Sequence, residues 1–312
     1  MPTSNSVTIR VPATTANIGP GFDCLGAALN LYNTFEFFIV RDDDDAQITV
    51  TGADAEQVPT DENNLAYRAF ASLYGAIARP TPPVKIAISM DIPLSRGLGS
   101  SATAIVGGLL GANTLAGFPL TDHKLMDLAI AIEGHPDNVV PALLGGCQLT
   151  THTEHDEWIV CDISWQDDIV PVIAIPEFEL STADARRVLP ETYSRADTIF
   201  NTSHLGLLLR ALEIGQTDWL ASALDDRIHQ PYRKTLIPGF DAVRIAALDA
   251  GAYGVVISGA GPTILALTNS AQSSEVEEAM VNAWKQLHVT ATASVQAIAQ
   301  YGAIATLMGA VH

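Results

Sequence analysis

The segment at residues 97–102 combines two glycines with two serines in a spacing that suits phosphate binding. It follows a predicted strand at residues 84–92 and opens a predicted helix of small residues. The N-terminus of a helix offers free N–H groups and about half a positive charge. Gly97 and Gly99 let the backbone approach a ligand without an obstructing Cβ atom, and the serine hydroxyls can bind phosphate oxygen or a metal ion. The segment therefore predicts a cradle for phosphate groups.

Two other glycine-rich patterns compete with this interpretation. The segment matches a GxGxxA dinucleotide fingerprint, and Asp122 lies at about the right distance downstream to bind a ribose. A dinucleotide-binding unit would place that acid at the end of the next strand, whereas Asp122 begins a second predicted helix. The GxxxxGK(S/T) pattern of a P-loop does not occur in the sequence. A glycine turn with a purely structural role remains a further alternative.

A second polar cluster, at residues 133–138, follows directly after the second helix. If that helix returns antiparallel to the first, Glu133 comes near the phosphates. A carboxylate beside the hydroxyl of Ser100 or Ser101 would offer magnesium the hard oxygen ligands that it prefers. Asp127 is an alternative carboxylate, although it lies nearly two helical turns earlier and is typical of an exposed helix face.

Several separate segments carry side chains suited to a zwitterionic substrate. Arginine forks match carboxylates, and an aspartate matches an ammonium group. A turn-rich loop at residues 12–26 contains Asn17 and Asp23, and the cluster after the second helix adds His135. The candidate arginines lie much later in the chain, at Arg186, Arg187 and Arg233. Taken singly, each arginine is more typical of an exposed surface, and a lone histidine is more typical of a structural role.

Strand-like and helix-like patterns alternate along the chain, which predicts an α+β fold. Strands are predicted at residues 7–11, 31–40, 84–92, 158–163, 169–175, 252–257 and 263–267. Helices are predicted from Asn63 or Asn64 to Tyr74, at residues 100–115, from Thr121 to Gly134, at residues 205–212 and 219–224, and after a capping box formed by Ser274 and Glu277. With 312 residues the chain exceeds the size of a usual single core, so we predict two domains, residues 1–155 and 156–312.

Charge and composition narrow the possible partners. A net charge of -19 argues against binding to nucleic acid or to an anionic membrane surface. Residues 1–10 lack the apolar core of a signal peptide, and no apolar run reaches the ~20 residues that span a bilayer, so we predict a cytoplasmic protein. The three cysteines show no spacing that indicates a disulfide framework or a zinc site. The acidic run at residues 42–45 is predicted to form the exposed tip of a hairpin.

Three motifs give the chain a resemblance to the GHMP kinase superfamily, and within it to the homoserine kinases. Residues 12–23, PATTANIGPGFD, are similar to the family's first motif, residues 93–102 to its second and residues 258–263 to its glycine-rich third. Residues 133–138, 181–190 and 226–239 are similar to segments characteristic of homoserine kinases. The resemblance extends from about Val7 to the end of the chain.

The resemblance implies an N-terminal domain like the second domain of ribosomal protein S5 and a ferredoxin-like C-terminal domain, with ATP and substrate in the cleft between them. It implies a homodimer that uses magnesium-ATP to phosphorylate L-homoserine in threonine biosynthesis. By position, Asn64 would lie near the adenine, and the other ATP-binding residues would be Pro93, Leu94, Ser95, Arg96, Gly97, Leu98, Gly99, Ser100, Ser101 and Ala102. Ser101 and Glu133 would hold Mg²⁺. Homoserine would be bound by Asn17, Asp23, His135, Arg186 and Arg233.

The resemblance also bears on the catalytic step. In mevalonate kinases an aspartate just after the second polar cluster acts as a base, and the matching position here is Asn138. The implied mechanism is direct in-line attack by the homoserine hydroxyl, in which positioning and charge neutralisation matter more than a strong base. Asp23 is a candidate to orient the nucleophile. Asp23 and Asn138 are therefore the candidate catalytic residues.

Three alternative functions remain open at this point. The chain could be a sibling kinase that acts on another small alcohol, such as a mevalonate-like or shikimate-like compound. It could be a ligand sensor without catalytic activity on the same fold. The dinucleotide fingerprint keeps a dehydrogenase as a weaker third hypothesis.

Overall fold

The computed structural model describes residues 5–40 and 47–307, in which two β-sheets are covered by helices. The acidic run predicted to be a hairpin tip, residues 42–45, lies outside the described residues. The first sheet is formed by β1 (Ser6–Ala16), β2 (Leu25–Ile39), β3 (Ile48–Gly52), β4 (Val84–Met90), β5 (Cys147–His152), β6 (Trp158–Ile163) and β11 (Ile304–Leu307). The strand order is β11-β1-β2-β4-β3, and β5 pairs with both β2 and β6. β3 and β4 run parallel, whereas β1 is antiparallel to β2 and β11.

Four helices belong to this first layer: α1 (Leu65–Ala76), α2 (Ser100–Leu115), α3 (Asp122–Glu133) and α4 (Pro136–Leu144). α2 is buried almost all round, which explains why its sequence consists of small residues without a polar stripe. A Cβ atom added at Gly107 or Gly111 would come within 2.6 Å of the rings of Phe35 and Phe37 on β2. Glycine therefore allows α2 to approach the sheet closely, and this packing fixes where the N-terminus of α2 lies.

The second sheet has the order β10-β7-β9-β8. Its strands are β7 (Val170–Pro176), β8 (Gly254–Ile257), β9 (Ile264–Thr268) and β10 (Ala291–Val295). The remaining helices are α5 (Thr182–Arg187), α6 (Arg195–Ile214), α7 (Thr217–Ala223), α8 (Gln230–Arg233), α9 (Phe240–Asp249) and α10 (Ser273–Gln286), and two 3₁₀ turns occur at Ala55–Gln57 and Lys234–Leu236. Alternating residues of β7 face different cores: Val172 and Ala174 pack with α9 and α10, whereas Ile173 packs with α6 and α7.

The predicted α+β class is confirmed, and the strands predicted at residues 158–163 and 169–175 form as β6 and β7. β6 nevertheless pairs with β5 in the first sheet, and β11 returns from the end of the chain to pair with β1. The division into residues 1–155 and 156–312 stays a prediction. Strand pairing assigns β6 and β11, which both fall within the predicted second domain, to the first sheet. Within the described part of the chain, no helix combines the length and apolar character needed to cross a bilayer.

Two local predictions are wrong in ways that have a physical explanation. The loop predicted at residues 12–26 is shorter, because β1 continues to Ala16 past Pro12. The register shifts between Pro12 and Ala13, and a bulge of this kind accommodates a proline that cannot donate a hydrogen bond. The capping box predicted at Ser274 does not form, because the N-cap of α10 is Gln272, two residues earlier.

Candidate active site

The glycine-rich loop between β4 and α2 packs directly against the loop that follows β8. Gly97 and Gly99 have φ angles of 75° and 67°, a region that side chains with a Cβ atom rarely adopt. A Cβ atom at Gly97 would lie 2.3 Å from the carbonyl oxygen of Ser258, and one at Gly99 would lie 2.0 Å from Oγ1 of Thr14. The Ser258 hydroxyl donates to the carbonyl oxygen of Gly97 at 2.7 Å. Glycine is therefore required at both positions by conformation and by close contact.

The N-terminus of α2 opens into a cavity of about 330 Å³ and presents two serines to it. Ser100 begins the helix, and its Oγ atom is buried without a hydrogen-bond partner among the described residues. An unpartnered buried hydroxyl costs about 1–3 kcal/mol, so a polar ligand at this end of the cavity would relieve that cost. Together with the free N–H groups of the first helical turn, this arrangement suits an anionic ligand such as a phosphate.

Ser101 and Glu133 form the oxygen pair that the sequence predicted. The Ser101 hydroxyl donates to Oε1 of Glu133 at 2.6 Å, which requires the start of α2 and the end of α3 to lie side by side. Burial raises the pKa of Glu133, while the hydrogen bond from Ser101 opposes that increase. Asp127, the alternative carboxylate, instead accepts from Lys124 at 3.1 Å and does not line the cavity.

The donor set fits a magnesium ion better than a transition metal. Among the described residues, no group of three or more histidine, cysteine, aspartate or glutamate side chains could hold a metal ion by itself. A hydroxyl with one carboxylate leaves most coordination positions to phosphate oxygens and water, which is the usual arrangement for magnesium. The pair Ser101 and Glu133 therefore suits a metal that arrives with a polyphosphate.

The loop at residues 17–24 holds Asn17 and Asp23 in left-handed conformations, with φ angles of 69° and 56°. The Asn17 side chain bridges two segments: its Nδ2 donates to the carbonyl oxygen of Gly259 at 2.7 Å, and its Oδ1 accepts from the backbone N–H of Asp23 at 2.9 Å. Both carboxylate oxygens of Asp23 accept from Arg186, at 2.8 and 2.9 Å. This bidentate ion pair joins α5 to the first loop.

Arg233 approaches the same loop from α8 and is only 1% exposed. Its guanidinium donates to the carbonyl oxygens of Ala185 at 3.3 Å and Gly259 at 3.1 Å. Burial lowers the pKa of Arg233, and the nearby charge of Arg186 acts in the same direction. Two guanidinium groups thus lie at one end of the cavity, where a carboxylate would balance them.

His135 is the N-cap of α4, and Asn138 lies in the first turn of that helix. Nδ1 of His135 lies 2.5 Å from Oδ1 of the buried Asp137. Burial disfavours the charged imidazole, but the hydrogen bond and charge of Asp137 outweigh burial and raise the pKa of His135. Asn138 accepts a hydrogen bond from the Thr14 hydroxyl at 2.9 Å through Oδ1. The amide of Asn138 is therefore held in a fixed position beside Gly99.

One cavity brings together most of the residues predicted from the sequence. Its lining includes Asn17, Asp23, Asn64, Leu94, Ser95, Arg96, Gly97, Gly99, Ser100, Ser101, Glu133, His135, Asn138, Arg186 and Arg233. Pro93, Leu98 and Ala102 are not part of the lining, and Leu98 and Ala102 are buried in the hydrophobic core.

Two of the lining residues use their polar groups for support. The Asn64 side chain caps α1 by accepting from the N–H groups of Ala66 and Tyr67, and it donates to Pro59. Arg96 donates to the carbonyl oxygens of Leu94, Pro176 and Glu177. Both residues shape the cavity wall with hydrogen bonds inside the protein.

Sequence reasoning missed Asn33, which lines the cavity. Asn33 on β2 is 1% exposed, donates to Oγ1 of Thr103 and accepts from the N–H groups of Asp91 and Ile92. β2 also contains Asn30, Thr34 and Glu36, so Asn33 does not stand out in the sequence. Asp122, which the dinucleotide fingerprint required at the end of a strand, is the first residue of α3. The topology therefore does not support the dehydrogenase hypothesis.

Comparisons with known proteins match this chain to two family models and to full-length relatives. Residues 64–146 match the model of the GHMP kinases N terminal domain, and residues 208–286 match the GHMP kinases C terminal model. A homoserine kinase from Trichodesmium erythraeum is 60% identical over 304 residues, which cover 97% of this chain and 99% of that protein. A homoserine kinase from Trichormus variabilis is 59% identical over 299 residues, with coverage of 96% and 98%.

The fold is also similar to that of solved structures. The crystal structure of a homoserine kinase from Cytophaga hutchinsonii aligns with a TM-score of 0.88 and 30% identity, covering 98% of this chain and 99% of that one. A mevalonate kinase from L. major, solved with R-mevalonate, aligns with a TM-score of 0.70 and 16% identity, covering 94% and 96%. At that identity the second likeness concerns the fold alone.

Proposed function

The chain belongs to the homoserine kinases of the GHMP kinase superfamily, and from this premise we propose that it phosphorylates the side-chain hydroxyl of L-homoserine with ATP. In this reaction the hydroxyl oxygen forms a bond to the γ-phosphorus, and the bond from that phosphorus to the bridging oxygen breaks. ADP leaves, and the hydroxyl proton is released. The product is O-phospho-L-homoserine, an intermediate of threonine biosynthesis.

One observation carries the proposal. A phosphate-binding loop and a set of groups suited to a zwitterion line the same cavity, although they come from segments far apart in the chain. Gly97, Gly99 and Ser100 supply the first set, and Asp23 with Arg233 represents the second. A kinase needs its two substrates in contact, and this cavity provides a site for each.

We assign substrate binding to the groups at the arginine end of the cavity. Arg186, Arg233 and His135 are the donors available to a carboxylate, and Asp23 is the acceptor available to an ammonium group. Asp23 and Arg186 are already paired. The ammonium group of an incoming amino acid would face the carboxylate of this pair, and its carboxylate would face the guanidinium group. A zwitterion can extend such a pair into an alternating network of charges, whereas a neutral alcohol cannot.

We assign the phosphates to the loop at residues 97–100 and the N-terminus of α2, and the magnesium ion to Ser101 and Glu133. The unpartnered Ser100 hydroxyl and the close contact of Ser101 with Glu133 support this assignment. When bound, Mg²⁺ would neutralise charge on the phosphate oxygens. The protein's own contribution is to orient the triphosphate with backbone N–H groups and to exclude water from the cavity.

The residues beside the glycine loop support a transfer that relies on positioning. Oδ1 of Asn138 is held by Thr14 and can accept a hydrogen bond from the attacking hydroxyl. An amide is a very weak base, so Asn138 would align the hydroxyl without removing its proton. Asp23 would orient the nucleophile indirectly, because both of its carboxylate oxygens are engaged by Arg186. The expected rate enhancement comes from alignment and charge neutralisation.

The proposal includes a cytoplasmic homodimer, as the resemblance implies. Light scattering on purified protein would measure a mass of about twice the 33.0 kDa of one chain if this is correct. A mass of one chain across the working concentration range would contradict the dimer and leave the proposed reaction unaffected.

The decisive experiment measures ADP release from purified protein supplied with magnesium-ATP. L-Homoserine is compared with L-serine, L-threonine, mevalonate and shikimate, and formation of the phosphate ester is followed by ³¹P NMR. A strong preference for L-homoserine would support both the reaction and the substrate. Preference for another alcohol would replace the substrate, and ATP binding without turnover of any alcohol would favour a sensor.

A further inference from the structure

Phe22 lies next to Asp23 in the first loop and contacts three cationic or aromatic side chains. Its ring centroid is 5.0 Å from Cζ of Arg233 and 5.8 Å from Cζ of Arg186. The ring also stacks on the imidazole of His229, with centroids 5.3 Å apart and planes inclined by 20°. One aromatic ring therefore lies within cation–π distance of both guanidinium groups at the arginine end of the cavity.

His229, which stacks on the Phe22 ring, is itself held in place by hydrogen bonds. Nε2 of His229 lies 2.8 Å from the carbonyl oxygen of Gly19, which belongs to the same loop as Phe22. The backbone N–H group of His229 donates to the buried carboxylate of Asp226 at 2.9 Å. The same carboxylate accepts from the Asn201 side chain at 2.7 Å. His229, on which Phe22 stacks, is thus held by hydrogen bonds at its backbone and at its ring.

The two arginines come from different elements, and Phe22 approaches the guanidinium groups of both. Arg186 lies in the last turn of α5, and Arg233 ends α8. The hydrogen bond from Arg233 to the carbonyl oxygen of Ala185 fixes the backbone beside Arg186 but not the Arg186 guanidinium group. The side chain of Arg186 is 39% exposed and is bonded to Asp23, whereas Arg233 is buried. Like charges repel at this end of the cavity, and the electron-rich face of an aromatic ring offsets part of that repulsion.

We propose that Phe22 is a positioning residue that sets the relative placement of Arg186 and Arg233 and thereby gives the site its preference for a substrate with a carboxylate. This inference rests on the proposed function, because it assigns the carboxylate of the amino acid to those two arginines. Phe22 itself does not line the cavity, so it acts through the guanidinium groups and not by contact with the substrate.

The experiment compares two substrates in three variants. L-Homoserine is tested beside L-homoserine amide, which keeps the ammonium and hydroxyl groups but replaces the carboxylate with a neutral amide. Phe22→Leu removes the aromatic face, Phe22→Tyr retains it, and Phe200→Leu is the matched control. Phe200 also stacks on a histidine, His204, and lies 3.8 Å from Cζ of Arg227, yet it is outside the cavity.

In Phe22→Leu we expect the KM for L-homoserine to rise about tenfold, with kcat and the KM for ATP unchanged. The KM for the amide should change less than about twofold, because the amide does not depend on the paired arginines. Tenfold in KM corresponds to about 1.4 kcal/mol of binding free energy. Phe22→Tyr and Phe200→Leu should keep the wild-type ratio of the two KM values.

The outcomes separate this inference from the proposed function. If the ratio of the two KM values is unchanged in Phe22→Leu, the positioning role is overturned. This includes an equal rise of both KM values, since a general loss of structure affects both substrates. If Phe22→Leu does not fold, Phe22→Met provides the same test with an unbranched side chain. Failure of the wild-type protein to phosphorylate L-homoserine would overturn the proposed function and this inference with it.

Discussion

A methyl group added at Gly99 would test whether the glycine loop and Asn138 act as one unit. The Cβ atom of Gly99→Ala would lie 2.0 Å from Oγ1 of Thr14 and 3.1 Å from Oδ1 of Asn138. These two atoms form the 2.9 Å hydrogen bond that holds the Asn138 amide. Thr14 is fully buried, so it cannot move aside without disturbing β1. The substitution should therefore displace Asn138 as well as strain the loop.

The size of the effect follows from two separate costs. A non-glycine residue at a φ of 67° loses about 1–2 kcal/mol of conformational free energy. Forcing an extra carbon into a packed region costs about 1–3 kcal/mol more. Gly99→Ala should thus reduce the free energy of unfolding by about 2–5 kcal/mol. A displacement of about 1 Å in a positioning group can lower kcat about a hundredfold, and we expect a loss of that order for L-homoserine.

Gly117→Ala is the matched control for this prediction. Gly117 also has a positive φ, 85°, but a Cβ atom there would meet no atom of the described residues within 4 Å, its two chain neighbours aside. It carries the backbone cost alone, so its unfolding free energy should fall by about 1–2 kcal/mol with kcat unchanged. Urea unfolding followed by circular dichroism and ADP release at saturating substrates measure both quantities. Equal losses in the two variants would refute the claimed contact with Thr14.

Three further outcomes test other parts of the site. Ser101→Ala and Glu133→Gln should each raise the Mg²⁺ concentration needed for half-maximal ADP release about tenfold, and unchanged magnesium titrations would remove both from the metal site. Asp23→Asn leaves Arg186 without its ionic partner, so the KM for L-homoserine should rise, and an unchanged kcat across the pH profile would exclude a catalytic role for Asp23. Burial lowers the pKa of His229 from its ordinary value of 6.5, so below that pH the unfolded chain binds a proton that the native state does not. Acidification from about pH 7.5 to about pH 5.5 should therefore destabilise wild type more than His229→Gln in urea unfolding, and parallel pH profiles would contradict this assignment.

The parts of the site that could be predicted from the sequence are those with local signals. Thr121 caps α3 through its hydroxyl, and Gly134 ends the same helix at a φ of 92°, as predicted. These two boundaries fix the length of α3, and its length determines that Glu133 comes beside Ser101. A pair of candidate metal ligands on two neighbouring helices could be predicted because short turns make adjacent helices antiparallel.

The parts that could not be predicted depend on contacts between distant segments. Nothing near residues 158–163 indicates that this strand continues the first sheet, because its partner β5 lies in a segment without a clear strand pattern. The return of β11 to β1 joins residues at the two ends of the chain. Such pairings depend on tertiary packing more than on local propensity.

The third motif shows how far apart in sequence the parts of one site can be. The carbonyl oxygen of Gly259 accepts from Asn17 at 2.7 Å and from Arg233 at 3.1 Å, and the N–H group of Gly259 donates to Ala16 at 3.0 Å. A single residue in the loop after β8 thus ties the end of β1 to α8. Its φ of 56° favours glycine, and an added Cβ atom would lie 3.1 Å from the carbonyl oxygen of Gly97. The glycines of this motif are therefore required because they join the first loop, the phosphate loop and the buried arginine, and a pattern of this kind identifies the site only when all three segments are considered together.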